Sequence, residues 1–90
     1  MFGSRDVENM QLSNAQNVYK TIVHFKNNEE LSVEKSSRDY YCRLKTDGQL
    51  FLEGTVCDTQ NTMTEAVKKA INFCYLFEQP KIAWVREIQK

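Results

Sequence analysis

From Val18 to Lys26 the chain is dense in β-branched and aromatic residues, the composition of a strand. Leu31 to Lys35 alternates, with Leu31 and Val33 set against Ser32 and Glu34, and Asn27-Asn28-Glu29 stands between the two runs as a turn. A three-residue loop pairs Phe25 with Leu31, Val23 with Val33 and Lys26 with Glu30. A two-residue loop sets Phe25 against Glu30 and Lys20 against Lys35. The first register joins apolar to apolar and opposite charges to each other, so the pattern predicts it.

A second hairpin follows. Tyr40, Cys42 and Leu44 alternate with Tyr41, Arg43 and Lys45, while Leu50, Leu52 and Gly54 alternate with Phe51 and Glu53. A two-residue Asp47-Gly48 turn places Lys45 beside Leu50 and mixes the faces. A three-residue Thr46-Asp47-Gly48 loop with Gly48 at positive φ pairs Leu44 with Leu50 and Cys42 with Leu52. It separates the faces, and is the predicted register.

Thr62-Met63-Thr64-Glu65 is a capping box, so a helix is expected from Met63 to about Glu78, ended by Pro80. Met63, Val67, Ala70, Ile71, Cys74 and Phe77 form its apolar stripe, opposite Lys68, Lys69 and Asn72. Lys81 to Lys90 reads as a final strand, with a short C-terminal helix as the alternative. Residues 1–17 are polar and weakly patterned, a flexible arm or a short helix after Ser4. The expected whole is an α+β domain over 18–90. It is an antiparallel sheet of four to five strands with one main helix on one face, in the order β-β-β-β-α-β.

Composition narrows the function classes. Ninety residues, 41% apolar and 27% charged, suit one folded domain rather than a disordered chain. Twelve basic and twelve acidic side chains cancel, so the broad positive field of a strong nucleic-acid binder is missing. The first ten residues hold no apolar signal core, and no run approaches the roughly 20 apolar residues of a membrane span. Cys42, Cys57 and Cys74 are odd in number and form no C-x-x-C pair, and no N-x-S/T acceptor is present. These features read as three reduced thiols in a cytoplasmic protein that has no membrane partner.

Catalytic readings find little support. His24 is the only histidine, and the hairpin pattern turns it outward with Lys20 and Lys26, away from the inward Cys42 and Cys74. Cys57 precedes the helix, whose dipole could activate it, but no base, orienting group or Gly-rich loop accompanies it. One His and dispersed Cys give no metal spacing, and no phosphate-binding loop is present. The expectation is a non-enzyme with no cofactor.

Two surfaces remain. The outer sheet face should carry Lys20, His24, Lys26, Arg43 and Lys45 interleaved with Tyr41 and Phe51, opposed by Glu34 and Glu53. Such a face can stack bases and hold phosphates, but with zero net charge ordinary cross-strand pairing is the favoured reading, Arg43 opposite Phe51 and Tyr41 opposite Glu53. The second surface is the helix end, where Phe73, Tyr75 and Leu76 exceed what one sheet-facing stripe uses. These residues, with Trp84, are either buried under the last strand or arm, or form an interface for a partner or a second copy. The leading expectation is a small protein-binding module, a regulator, adaptor or inhibitor of a larger cytoplasmic protein. Small viral or mobile-element inhibitors are one such class, though the sequence holds no motif for it. Single-stranded nucleic-acid binding by the outer face is the alternative.

Overall fold

Runs of high β propensity build five strands, and one helix lies across them. This computed structural model describes Leu12 and residues 17–89. Its order is β1 (Val18–Phe25), β2 (Glu29–Lys35), β3 (Asp39–Thr46), β4 (Gln49–Asp58), α1 (Met63–Cys74) and β5 (Ile82–Gln89). Every pairing is antiparallel, and the strands lie in the order β4-β3-β2-β1-β5. The expected β-β-β-β-α-β architecture is the observed one, and residues 82–89 form a strand on β1 rather than a helix. The arm expected over 1–17 falls outside the described residues except Leu12, which packs against the core, and Asn17.

Both hairpins differ in register from the sequence expectation. In the first, Val23 pairs with Leu31 and Thr21 with Val33, not Phe25 with Leu31 and Val23 with Val33. The loop is Lys26-Asn27-Asn28, with Asn28 at φ 64°. Asparagine tolerates the left-handed region better than most side chains, whereas the expected loop ended on Glu29. The displacement is two residues, so each side chain keeps its face.

In the second hairpin Asp47 and Gly48 both have positive φ, 52° and 81°, which is the two-residue turn set aside above. Lys45 does pair with Leu50, but a bulge then inserts Phe51 and Leu44 pairs with Leu52. The bulge restores apolar pairing that a longer loop was expected to supply. Gly48 has the positive φ expected of it, for a different turn. The two turns are joined: the Asp47 amide donates to the Asn28 carbonyl at 3.2 Å, and the Asn28 side-chain amide donates to the Asp47 carboxylate.

The helix begins where the capping box places it. The Glu65 amide donates to Thr62 Oγ1 at 3.1 Å, and the Thr62 amide donates to Glu65 Oε1 at 2.8 Å. The backbone hydrogen bond from Thr62 holds the Glu65 carboxyl below its ordinary pKa. Thr62→Ala is expected to lower the unfolding free energy by about 0.5–2 kcal/mol in a urea titration. An unchanged midpoint would show that the cap contributes nothing.

Ala66, Val67, Ala70 and Ile71 are the fully buried face of α1. They cover Val23, Phe25, Leu31, Val33, Tyr40, Cys42 and Leu44 of the sheet. Tyr40 crosses this layer to donate from its hydroxyl to the Asn61 carbonyl at 3.0 Å, beside the helix start.

The helix stops at Cys74, four residues short of the expected Glu78. Tyr75 is extended, with φ −128° and ψ 101°, and closes the helix by donating its amide to Ile71 O. Two contacts account for the early exit. The Tyr75 hydroxyl donates to Glu29 Oε1 at 2.6 Å, and its ring meets Phe25 edge-on at 5.5 Å between centroids. Phe77 is consequently not on a buried stripe. It is 88% exposed.

Candidate interaction site

The sheet face opposite α1 is ordered in three rows running across the strands. The first holds Trp84, His24, Glu30, Lys45 and Leu50. The second holds Arg86, Ile22, Ser32, Arg43 and Glu53. The third holds Ile88, Lys20, Glu34, Tyr41 and Thr55. Lys20, His24, Tyr41, Arg43 and Lys45 therefore do share one face, as expected. Phe51 is the bulged residue of β4, so Arg43 faces Glu53 and not Phe51, and Tyr41 faces Thr55 and not Glu53. Lys26 lies in the first turn rather than in a strand.

Most cations on this face stand across from carboxylates, Lys20 from Glu34 and Lys45 from Glu30, while Arg86 stands across from Ile22. Arg43 Nε donates to Glu53 Oε1 at 3.3 Å while its guanidinium sits 5.5 Å from the Tyr41 ring centre. His24 Nδ1 lies 3.7 Å from Glu30 Oε2, and the imidazole stacks on Trp84 with centroids 3.7 Å apart. Four cations against three carboxylates in these rows leave only a weak field to attract a phosphate chain. At one end of the face, a cleft of about 230 Å³ is lined by His24, Asn28, Glu30, Lys45, Gly48 and Trp84 among others.

Trp84 and Leu50, both exposed, end the first row of this face; the other exposed apolar residues lie away from it. Phe73 is 46% exposed, Leu76 82% and Phe77 88%, all at or just past the end of α1. Phe51, the bulged residue, is exposed on β4, an edge strand whose one hydrogen-bonded neighbour in the sheet is β3. The helix end touches β4 at Gly54, where the Phe73 ring lies so close that an added Cβ would stand 3.3 Å from Phe73 Cζ. Phe73 and Leu76 are thus together at the helix end, as the sequence suggested. Tyr75 is half-buried and held by Glu29, and Trp84 belongs to the opposite sheet face.

Phe77 and Leu50 were not anticipated. A signal for Phe77 existed in the run Phe73 to Phe77, which is apolar almost throughout and shows no face; for Leu50 the Asp47-Gly48 dipeptide was the signal. Glu29 was also missed. Its carboxylate accepts from Tyr75 Oη, from Asn27 Nδ2 at 2.7 Å and from Thr46 Oγ1 at 3.1 Å, and so fixes the segment from which Leu76 and Phe77 project.

Cys57 lies within β4 opposite Tyr40, not at the helix start, and burial pushes its thiol pKa up despite the nearby Lys69. The activation considered for it from the helix dipole is not found. Among the described residues no three of His, Cys, Asp and Glu are grouped to hold a metal ion, and no helix is long and apolar enough to cross a membrane. No family model, curated protein or solved structure matches this chain.

Proposed function

We propose that the protein is a small, non-enzymatic binding module of the cytoplasm that engages another protein through the end of α1 and the adjoining β4 edge. The observation that supports this reading most is the exposure of Leu76 and Phe77 beside Phe73. Large apolar side chains left in water are costly and are a common mark of interfaces. Their stem is rigid, since Tyr75 is anchored to Glu29 and Phe25. Rigid presentation lowers the ordering cost of association. A regulator, adaptor or inhibitor role follows from occlusion of a site on the partner, and a second copy of the chain is the simplest partner of all.

The double variant Leu76→Arg, Phe77→Arg tests this. Both residues are exposed, so the thermal midpoint should hold within a degree or two while association is lost. Affinity capture from host lysate, with and without nuclease, and light scattering across a concentration series would read the loss. If the unaltered protein stays monomeric and captures nothing that the double variant fails to capture, the reading is wrong. Single-strand binding by the outer face is the second reading, with Trp84 and Tyr41 as stacking groups. The paired cations weigh against it, and an oligonucleotide titration at low salt with no response would remove it.

A further inference from the structure

Two of the three sulfurs face each other across the helix–sheet interface. Cys42, midway along β3, is fully buried. Cys74, the last residue of α1, is half-buried and packs against the same core. The register fixes the juxtaposition independently of the sulfurs themselves. Gly54 is the cross-strand partner of Cys42, and the Phe73 ring lies on Gly54, so the last turn of α1 is seated over the Cys42–Gly54 pair. Both belong to one packed layer, Cys42 within the buried cluster and Cys74 against it, and a hydrogen bond between the two thiols pulls the Cys42 pKa down and pushes that of Cys74 up.

We propose that Cys42 and Cys74 are a redox-active dithiol that closes reversibly to a disulfide under mild peroxide, tying the end of α1 to β3. The inference does not depend on what Leu76 and Phe77 contact. Thiols on facing elements of one packed layer avoid the large backbone movement that is the usual obstacle to a new disulfide. Access is divided between them: Cys74 reaches solvent, and Cys42 stands behind it as the resolving group.

Loss of one proton leaves a single thiolate charge shared by two hydrogen-bonded sulfurs. The Cys74 sulfur attacks one oxygen of hydrogen peroxide, the O–O bond breaks, and a sulfenic acid forms while the departing hydroxide takes up a proton as water. The Cys42 sulfur then attacks the Cys74 sulfur, the S–O bond breaks, and the second hydroxide leaves with a proton as water. Two thiols and one peroxide give one disulfide and two waters; the sulfurs lose two electrons and the peroxide gains them. Excess small thiol reverses the bond by exchange. Such a bond suits a compartment where disulfides are transient rather than structural.

Trypsin makes the test direct, because it separates the cysteines into peptides 39–43, 46–68 and 70–81. Folded protein is treated with stoichiometric hydrogen peroxide, alkylated and digested without reduction. The expected product joins 39–43 to 70–81 at a mass two hydrogens below their sum, and disappears with dithiothreitol. Cys57→Ser should give the same product in the same yield, and Cys74→Ser or Cys42→Ser none. Thermal unfolding of the oxidised protein should shift upward in the unaltered chain and in Cys57→Ser alone. Both cysteines remaining alkylatable would overturn the proposal. So would Cys74 recovered as sulfinic acid, or bridging through Cys57 or between two chains. If Cys42→Ser does not fold, the mapped product in Cys57→Ser and its loss in Cys74→Ser still decide the matter.

Discussion

Glu29→Ala is expected to lower the unfolding free energy by about 2–4 kcal/mol, measured by urea titration at neutral pH. Glu29 opens β2 at the point where three parts of the fold converge: the first turn through Asn27, β3 through Thr46 and the helix exit through Tyr75. Alanine removes the acceptor and leaves the half-buried Tyr75 and Thr46 hydroxyls without it. Asn27 is exposed, so water replaces its bond at small cost. Glu29→Gln keeps the shape and an acceptor oxygen, and should lose less. If the two variants are equally stable, the carboxylate is not the organiser described here. The variant should also loosen the 75–79 segment, visible as faster amide exchange there than in the rest of the protein.

The same contact gives a pH dependence. Burial first, and the Glu29 hydrogen bond second, hold the Tyr75 phenol protonated well above its ordinary range. A group whose folded pKa is raised contributes stability that is complete below the unfolded pKa and is lost as pH rises past it. Stability should therefore fall from about pH 10 upward, where an unfolded tyrosine begins to ionise. Tyr75→Phe should flatten that decline. An equal slope in both proteins would assign the alkaline loss to other groups.

Leu31→Ala should be still more damaging, about 2–5 kcal/mol by the same titration. Leu31 lies on the central strand and is fully buried, paired with Val23 on one side and Leu44 on the other, beneath α1. The strands on both sides are held by their own ladders, so little can move in to fill the space. Against a typical total of about 5–15 kcal/mol, a loss of this size leaves a marginal protein. A measured loss below about 1 kcal/mol would mean the layer under the helix collapses around the cavity, contrary to the tight packing inferred.

Why some features were legible in the sequence, and others not, follows from what periodicity can record. Alternation in Leu31 to Lys35 and in Tyr40 to Lys45 marks the inward faces correctly. It is blind to the two-residue displacement of the first hairpin, because sliding by two leaves every side chain on its face. The choice was made instead by Asn28, whose side chain tolerates φ 64°. In the second hairpin a one-residue bulge at Phe51 reconciled a tight turn with apolar pairing, and nothing in the alternation distinguishes that from a longer loop. The capping box at Thr62 is local chemistry and was readable. The helix end is not local: Tyr75 leaves because Glu29, 46 residues earlier, receives its hydroxyl.

For the candidate site the same distinction holds. Surplus apolar residues at Phe73 and Leu76 could be counted from one helix, but Trp84 was assigned to the wrong neighbours. Its face is set by the register of β5 on β1, which puts Trp84 across from the outward His24. Alternation marks Cys42 and Cys74 as inward, but that the helix end lies over the Cys42–Gly54 pair shows only in the contact of Phe73 with Gly54.

The strand order carries a consequence for how the chain reaches this state. Synthesis delivers β1 to β4 as a meander of neighbours, each hairpin able to close on itself with little loop entropy lost. One edge of β1 stays unsatisfied throughout, waiting for β5, which arrives only after the helix has crossed the sheet. During that interval β1 offers Val18, Ile22 and Val23 with open backbone donors and acceptors to any other nascent chain. The last strand thus acts as an internal guard: a ribosome pausing before residue 82 should yield aggregates, and a supplied peptide of sequence 82–89 should suppress them.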